Sequence, residues 1–255
     1  MSDSVLVERH GPVGTITLNR PEQMNAITVE LGRELERALL ELAGDVNVIV
    51  IRGAGGNFCV GGDFRELEKL RAEGRDAMAD LFLNFGRACA MIEAIPVPVV
   101  CAVEGYAMAG GFELLQAADI VLIHEKAVVS DTHSRFGQIP GGGSTQRLPR
   151  LAGRQRALAH ILTGDRLSAA EAVAWGLAYK AFGAAEFDSA VTSFAQALAE
   201  KDPAALAESK RLIYAGLKLP LFDGLALEHT AVLDHLSRDS AGAGIESFTK
   251  GSANV

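Results

Sequence analysis

The sequence predicts an α/β fold, and three observations carry that prediction. Short β-branched runs at residues 46–51, 97–103 and 119–123 have the unbroken apolar character of strands covered on both faces. Between them the apolar period switches to that of amphipathic helices, and the first two runs end in glycine-rich turns, which is the grammar of alternating strands and helices in one layered domain. The chain has 255 residues, 49% hydrophobic and 22% charged, the composition of an ordinary globular protein with room for a sizeable core.

Taken in order, Val5-Leu6-Val7 and Thr15-Ile16-Thr17-Leu18 flank His10-Gly11-Pro12-Val13-Gly14 and read as a hairpin. From Thr28, Leu31, Leu35, Leu39 and Leu42 recur at helical spacing with Glu30, Arg33, Glu34 and Arg37 on the other faces. The strand at 46–51 stops at Gly53-Ala54-Gly55-Gly56-Asn57, and a helix over 76–92 leads past Pro96 to the strand at 97–103. Gly110-Gly111-Phe112-Glu113-Leu114-Leu115 opens a short helix before the third buried strand. Past Gly143 the pattern turns mostly helical, and Ser168-Ala169-Ala170-Glu171 has the spacing of a capping box. This divides the chain into a core domain at 1–185 and a helical region at 186–255. There Leu206, Ile213, Leu217, Leu221, Leu225, Val232, Leu233 and Leu236 place apolar surface on helices with little sheet left to cover. An internal helical layer and a subunit interface both account for it, and the interface is favoured.

Lys plus Arg number 24 against 32 Asp plus Glu, and a net charge of −8 argues against a partner held by a broad basic field, so no nucleic acid is expected. Cys59, Cys89 and Cys101 are odd in number and lack paired spacing, which fits a reducing compartment. No apolar run approaches the ~18 residues of a membrane span, and the opening residues show no secretory pattern. The expectation is a cytoplasmic protein without membrane partners.

Several motifs fail on inspection. Gly137 to Ser144 imitates a P-loop in its glycines, but Gly143 stands where the phosphate-binding lysine belongs. Gly53-x-Gly55 lacks the third glycine of a dinucleotide fingerprint because Phe58 occupies it. The six histidines include no H-x-x-x-H pair, so no metal site is expected. What remains is a pair of glycine-rich turns, Phe58-Cys59-Val60-Gly61-Gly62-Asp63 and Ala109-Gly110-Gly111-Phe112-Glu113. They are either tight turns alone or places where backbone N–H groups lie open to a ligand. Two converging N–H groups can hold an oxyanion, and Glu113 at the start of the following helix is a candidate general base.

These residues, in this order, resemble the enoyl-CoA hydratase/isomerase (crotonase) family. The resemblance runs from Leu18-Asn19-Arg20-Pro21-Glu22-Gln23-Met24-Asn25-Ala26 through both turns and Ala102-Val103-Glu104-Gly105-Tyr106-Ala107. It continues through Ile139-Pro140-Gly141-Gly142-Gly143-Ser144-Thr145-Gln146-Arg147-Leu148 and Leu162-Thr163-Gly164-Asp165-Arg166-Leu167-Ser168-Ala169. It implies a spiral of β-β-α units with a helical C-terminal trimerisation region, and a homotrimer or a hexamer built as a dimer of trimers. It implies an acyl-CoA substrate, coenzyme A entering only as part of that substrate, and a thioester oxygen held by the N–H groups of Gly62 and Gly110. By the same resemblance Met24, Ala26, Val60, Asp63 and Phe64 lie along the CoA path, Arg65 stands where a cation meets CoA phosphates, and Lys250 reaches a neighbour's CoA. For Arg65 and Lys250 a solvated surface charge is the competing reading.

One stretch departs from the family pattern. Glu113 matches the first catalytic glutamate, but at the second the sequence reads Asp131-Thr132-His133-Ser134-Arg135-Phe136-Gly137, with His133 in the glutamate's place. In an extended segment Asp131 and His133 would point the same way, so Asp131 would orient or flank a histidine able to move protons near neutral pH. Three outcomes stay open: hydration of a 2-enoyl-CoA, another family reaction such as isomerisation or C–C or thioester cleavage, and a non-catalytic acyl-CoA-binding scaffold. Ser130, Ser134 and Ser144 are read as turn and cap residues, and Cys59 as a bystander of its loop.

Overall fold

A computed structural model describes residues 3–237. The opening runs form the expected hairpin, β1 (Val5–His10) antiparallel to β2 (Val13–Leu18), turning at Gly11 with φ +61°. Thr28 caps α1 (Val29–Ala43), its hydroxyl accepting the Leu31 N–H at 3.0 Å, and Leu31, Leu35, Leu39 and Leu42 are all fully buried. β3 (Val48–Gly53) follows, parallel to β2. α2 (Phe64–Glu73) is an element the sequence reading does not anticipate. Its charged side chains leave only Leu67 and Leu70 to mark an inner face, and Asp63 fixes its start by accepting the N–H groups of Arg65 and Glu66.

α3 (Arg75–Ala94) spans the expected helix, and β4 (Val99–Val103), β5 (Tyr106–Met108) and α4 (Gly110–Ala117) follow. Next come β6 (Ile120–His124), β7 (Val128–Ser130), α5 (Ser144–Ala152) and α6 (Arg154–Thr163). β8 (Leu167–Ser168), α7 (Ala169–Ala174) behind the Ser168–Glu171 capping box, β9 (Lys180–Phe182) and α8 (Phe187–Ala199) complete the first compact unit.

The strands divide between two sheets, one ordered β1-β2-β3-β4-β6-β9 and one ordered β5-β7-β8. From β4 the chain twice lays one strand in the large sheet, the next in the small sheet, and then a helix (β4-β5-α4 and β6-β7-α5), which winds it into a spiral of β-β-α steps. The large sheet is covered on both faces. Ile49, Ile51, Val99, Cys101, Val103, Val121 and Ile123 point into the core shared with α1, α3 and α4, while Val48, Val50, Val100, Ala102 and Leu122 meet Phe187, Val191, Ala195 and Ala199 of α8. The first compact unit therefore runs to Glu200, past the division expected at 186, because α8 is the cover of the sheet's other face.

The second unit begins at Lys201. Asp202 caps α9 (Pro203–Gly216) through the Ala205 N–H at 2.7 Å, and α10 (Leu221–Leu236) packs on α9. Ile213, Leu221, Phe222 and Leu225 on these two helices, and Leu217 just past the end of α9, remain exposed. Among the described residues no helix is long and apolar enough to cross a membrane.

Candidate active site

The stretch from Leu18 to Ala26 earns its residues structurally. Asn25 is fully buried with φ +57°; its carbonyl accepts the Arg20 N–H at 2.9 Å and its amide donates to Ala54 O and Asn57 O at 2.9 and 2.7 Å. Arg20 donates to Ala26 O and pairs with Asp63 at 2.8 Å. The two loops after β2 and β3 are thereby tied together, and Val60 N–H to Met24 O and Ile27 N–H to Gly61 O extend the stitching at 3.2 and 2.7 Å. Asp63 spends its carboxylate on Arg20 and on the start of α2, and burial, which alone would raise its pKa, is outweighed by those partners.

The tied loop presses Gly61 against the start of α4, while Gly62 faces Leu67 of α2. A side chain at Gly61 would lie 2.7 Å from Ala109 Cβ and 3.2 Å from Gly110 N, and Gly61 itself sits at φ +95°, where glycine alone is unstrained. Ala109 holds a costly conformation, φ +46° and ψ −114°, that turns the chain from β5 into α4 and aims the first helical N–H outward. A Cβ on Gly111 would fall 2.0 Å from Cys59 O, so only glycine lets these turns touch. Among the described residues neither the Gly62 N–H nor the Gly110 N–H has a hydrogen-bond acceptor. The Gly110 N–H also carries the positive end of the α4 dipole, and such a pair can hold an oxyanion.

Glu113 lies one turn into α4, buried to 2% exposure. Its Oε1 accepts the N–H groups of Gly142 and Ser144 at 2.7 and 3.0 Å, at the start of α5. Burial raises the Glu113 pKa, and the two N–H groups and His133 only moderate that rise. Its Oε2 stands 3.9 Å from His133 Nε2, and His133 Nδ1 lies 2.7 Å from Asp131 Oδ1. The expected Asp131–His133 partnership is present, but not in an extended segment. Thr132, at φ −92° and ψ 2°, opens a 3₁₀ turn over His133–Phe136, so the two side chains meet across a tight turn. Burial alone would lower the His133 pKa; the hydrogen bond and charge of Asp131, with the charge of Glu113, outweigh it and raise it.

These groups line one cavity of about 800 Å³, together with Met24, Val60 and Phe64. Ala26, Asp63, Arg65 and Asp131 stand outside its wall: Asp131 sits fully buried behind His133, and Arg65 is exposed on α2. Lys250 lies outside the described residues. Burial pushes the Cys59 thiol up to about 12, which leaves it protonated and unsuited to attack. Sequence reasoning missed the apolar wall, Met78, Leu81, Phe82 and Phe85 of α3. Their i, i+3, i+4, i+7 spacing is a signal that could have found one face of that helix. It also missed the edge-to-face Phe64–Phe136 pair, with ring centroids 5.1 Å apart, and Arg166 over the Tyr106 ring at 6.0 Å, all in the same wall. Among the described residues no cluster of three or more His, Cys, Asp or Glu side chains is arranged to hold a metal ion.

A buried carboxylate facing an imidazole beside two open N–H groups can move protons next to a carbonyl whose oxygen gains charge. Comparison with known proteins agrees in kind. Residues 8–253 match the family model described as enoyl-CoA hydratase/isomerase. A Dictyostelium discoideum protein named as a probable mitochondrial enoyl-CoA hydratase is 34% identical over 251 residues, 95% of this chain and 88% of that one. The crystal structure of an enoyl-CoA hydratase from Bacillus anthracis superposes with a TM-score of 0.91 at 31% identity, covering 97% of this chain and 96% of that one. One from Polaromonas sp. JS666 gives 0.93 at 30% identity, with 97% of each chain covered.

Proposed function

The chain belongs to the enoyl-CoA hydratase/isomerase family, and from that premise we propose that it adds water across the conjugated double bond of a 2-enoyl-CoA. The observation that supports this reading is the facing pair, Glu113 Oε2 and His133 Nε2 at 3.9 Å. The thioester oxygen accepts from Gly62 and Gly110, which stabilise the enolate charge by ~3 kcal/mol each. Ionised Glu113 takes a proton from a water molecule as its oxygen bonds to the β-carbon. Protonated His133, held by Asp131, delivers a proton to the α-carbon. The double bond becomes single, and a proton passing from Glu113 to His133 resets the site. Coenzyme A takes part only as the substrate's carrier, along Met24, Val60 and Phe64, with Arg65 near its phosphates. The exposed apolar residues of α9 and α10 support self-association of the second unit as a trimer or a pair of trimers.

The pH dependence follows from the two raised pKa values. Activity requires Glu113 ionised and His133 protonated, so kcat/KM rises only above Glu113's pKa, itself above the ordinary 4.5, and falls as His133 deprotonates above the ordinary 6.5. The expected result is a bell whose alkaline limb belongs to His133, read from initial rates across pH. An alkaline limb unchanged in a His133→Gln variant that still turns over removes histidine from that role.

The cavity wall narrows the acyl group. A Cβ at Gly142 would meet both Phe85 Cε1 and Glu113 Oε2 within 3 Å, so the Phe85 ring lies beside the carboxylate. From Phe85 the stripe runs back along α3 to Met78, about 10 Å at 1.5 Å per residue, without a polar side chain facing in. Each methylene buried there contributes ~0.8 kcal/mol, so trans-2-octenoyl-CoA should exceed crotonyl-CoA in kcat/KM by about tenfold or more. Met78→Asp should lower that ratio by about tenfold. The assay follows loss of the conjugated-enoyl absorbance. Turnover of a 3-enoyl-CoA with none of either conjugated substrate replaces hydration by isomerisation, and acyl-CoA binding without any turnover replaces it by a scaffold.

A further inference from the structure

His160 lies outside the cavity, yet the fold treats it as more than filler. It is 2% exposed on α6, with its ring against those of Phe112 and Trp175 at centroid distances of 5.1 and 5.8 Å. An aliphatic side chain would fill such a slot unless a ring nitrogen were needed. One is used: Nε2 accepts the Asp131 N–H at 3.0 Å, which places the ring proton on Nδ1. Nδ1 is buried and has no hydrogen-bond partner among the described residues. The protein therefore keeps an unsatisfied polar atom in order to keep an acceptor under Asp131.

Asp131 has little else to hold it. Its Oδ1 meets His133 Nδ1 at 2.7 Å and, more distantly, the His133 N–H at 3.4 Å, while Oδ2 is buried without a partner among the described residues. With the carboxylate anchored, among the described residues, only to the residue it serves, its place is set by its own main chain, and the polar contact under that main-chain N–H is His160. We propose that His160 is a positioning residue which, through the Asp131 main chain, holds the carboxylate on His133 and so sets the orientation and proton affinity of that imidazole. The proposal rests on the reading of His133 as the proton donor. The groups facing His160 agree with a neutral ring. Burial between Phe112 of α4 and Trp175 after α7 lowers its pKa, and the opposing charges of Asp131 and Asp165 do not reverse that. A protonated ring would set its Nε2–H against the Asp131 N–H.

The test titrates the imidazole ring nitrogens by NMR in the full-length protein, alongside the pH profile of kcat. In the wild type His160 should carry its proton on Nδ1, and His133 should titrate above the ordinary value. His160→Leu fills the slot without an acceptor: His133 should titrate lower, the alkaline limb should move down with it, and kcat should fall about tenfold or more with KM little changed. His160→Gln restores an acceptor and should recover both. Three results overturn the proposal: a wild-type proton on Nε2, a folded His160→Leu that leaves the His133 titration unmoved, or Leu and Gln variants that behave alike. The tautomer is read on the wild type, so a Leu variant that fails to fold leaves a decisive measurement. The His133 titration needs no turnover, so its response stands apart from whether an enoyl-CoA is hydrated.

Discussion

Glu113→Gln should lower hydration kcat by about 10³-fold while acyl-CoA binding persists, because the change removes a proton acceptor and little else. Glutamine keeps a carbonyl oxygen where Oε1 accepts the N–H groups of Gly142 and Ser144, so the junction between α4 and α5 stays satisfied. It also removes the negative charge that helps raise the His133 pKa, so any residual activity should lose its alkaline limb at lower pH than the wild type. Loss of enoyl absorbance measures turnover, and calorimetry with a saturated acyl-CoA measures binding. A variant that hydrates at the wild-type rate would take Glu113 out of the chemistry; one that loses binding as well would place it in the architecture of the pocket.

That Glu113 could be singled out from sequence, while its partners could not, has a physical reason. Two glycines before a short apolar helix announce a backbone that something must approach closely, and the glutamate one turn on is the polar group in that helix's first turn. Its hydrogen-bond donors are main-chain N–H groups 29 and 31 residues away, and every residue type but proline supplies an N–H, so no side-chain signal marks them. His160 is hidden for a similar reason, since it accepts from the main chain of Asp131 across 29 residues. Asp131 and His133 were legible as neighbours though not by the right geometry: a spacing of two brings side chains together in a strand, and here a 3₁₀ turn does so instead.

The fold shows the same division. The long buried strands and α1 were readable because each repeats one period over several residues, and their interiors are fully buried as that period requires. β5, β7, β8 and β9 have three residues or fewer, too short to display alternation, and their membership in a sheet is decided by partners distant in the chain. These short strands carry the spiral and bring Met108 and Ala109 beside Ser130 and Asp131. The part of the fold that assembles the site is thus the part least visible to periodicity.

Gly142→Ala should cost about 10²-fold in kcat with the fold retained, and it isolates position from chemistry. Gly142 is not in the left-handed region, so alanine meets no backbone penalty there. Its Cβ would instead stand 2.6 Å from Phe85 Cε1 and 2.8 Å from Glu113 Oε2, closer than unbonded carbon and oxygen atoms come, and one neighbour must move. Phe85 is 4% exposed and cannot swing into solvent, while the carboxylate is tied to the Gly142 N–H itself at 2.7 Å. The strain therefore falls on the carboxylate and its loop, and a displacement of ~1 Å at a reacting group is enough for a 10²-fold loss. Overpacking of this kind should also lower stability by roughly 1–3 kcal/mol, read as a drop in melting temperature. Phe85→Leu in the same chain opens one side of the clash, so the double variant should recover part of the loss and the two changes should fail to add. Full turnover by Gly142→Ala alone would mean that the loop before α5 does not set where Glu113 acts. Loss without recovery in the double variant would mean that the carboxylate, not the ring, takes up the whole displacement.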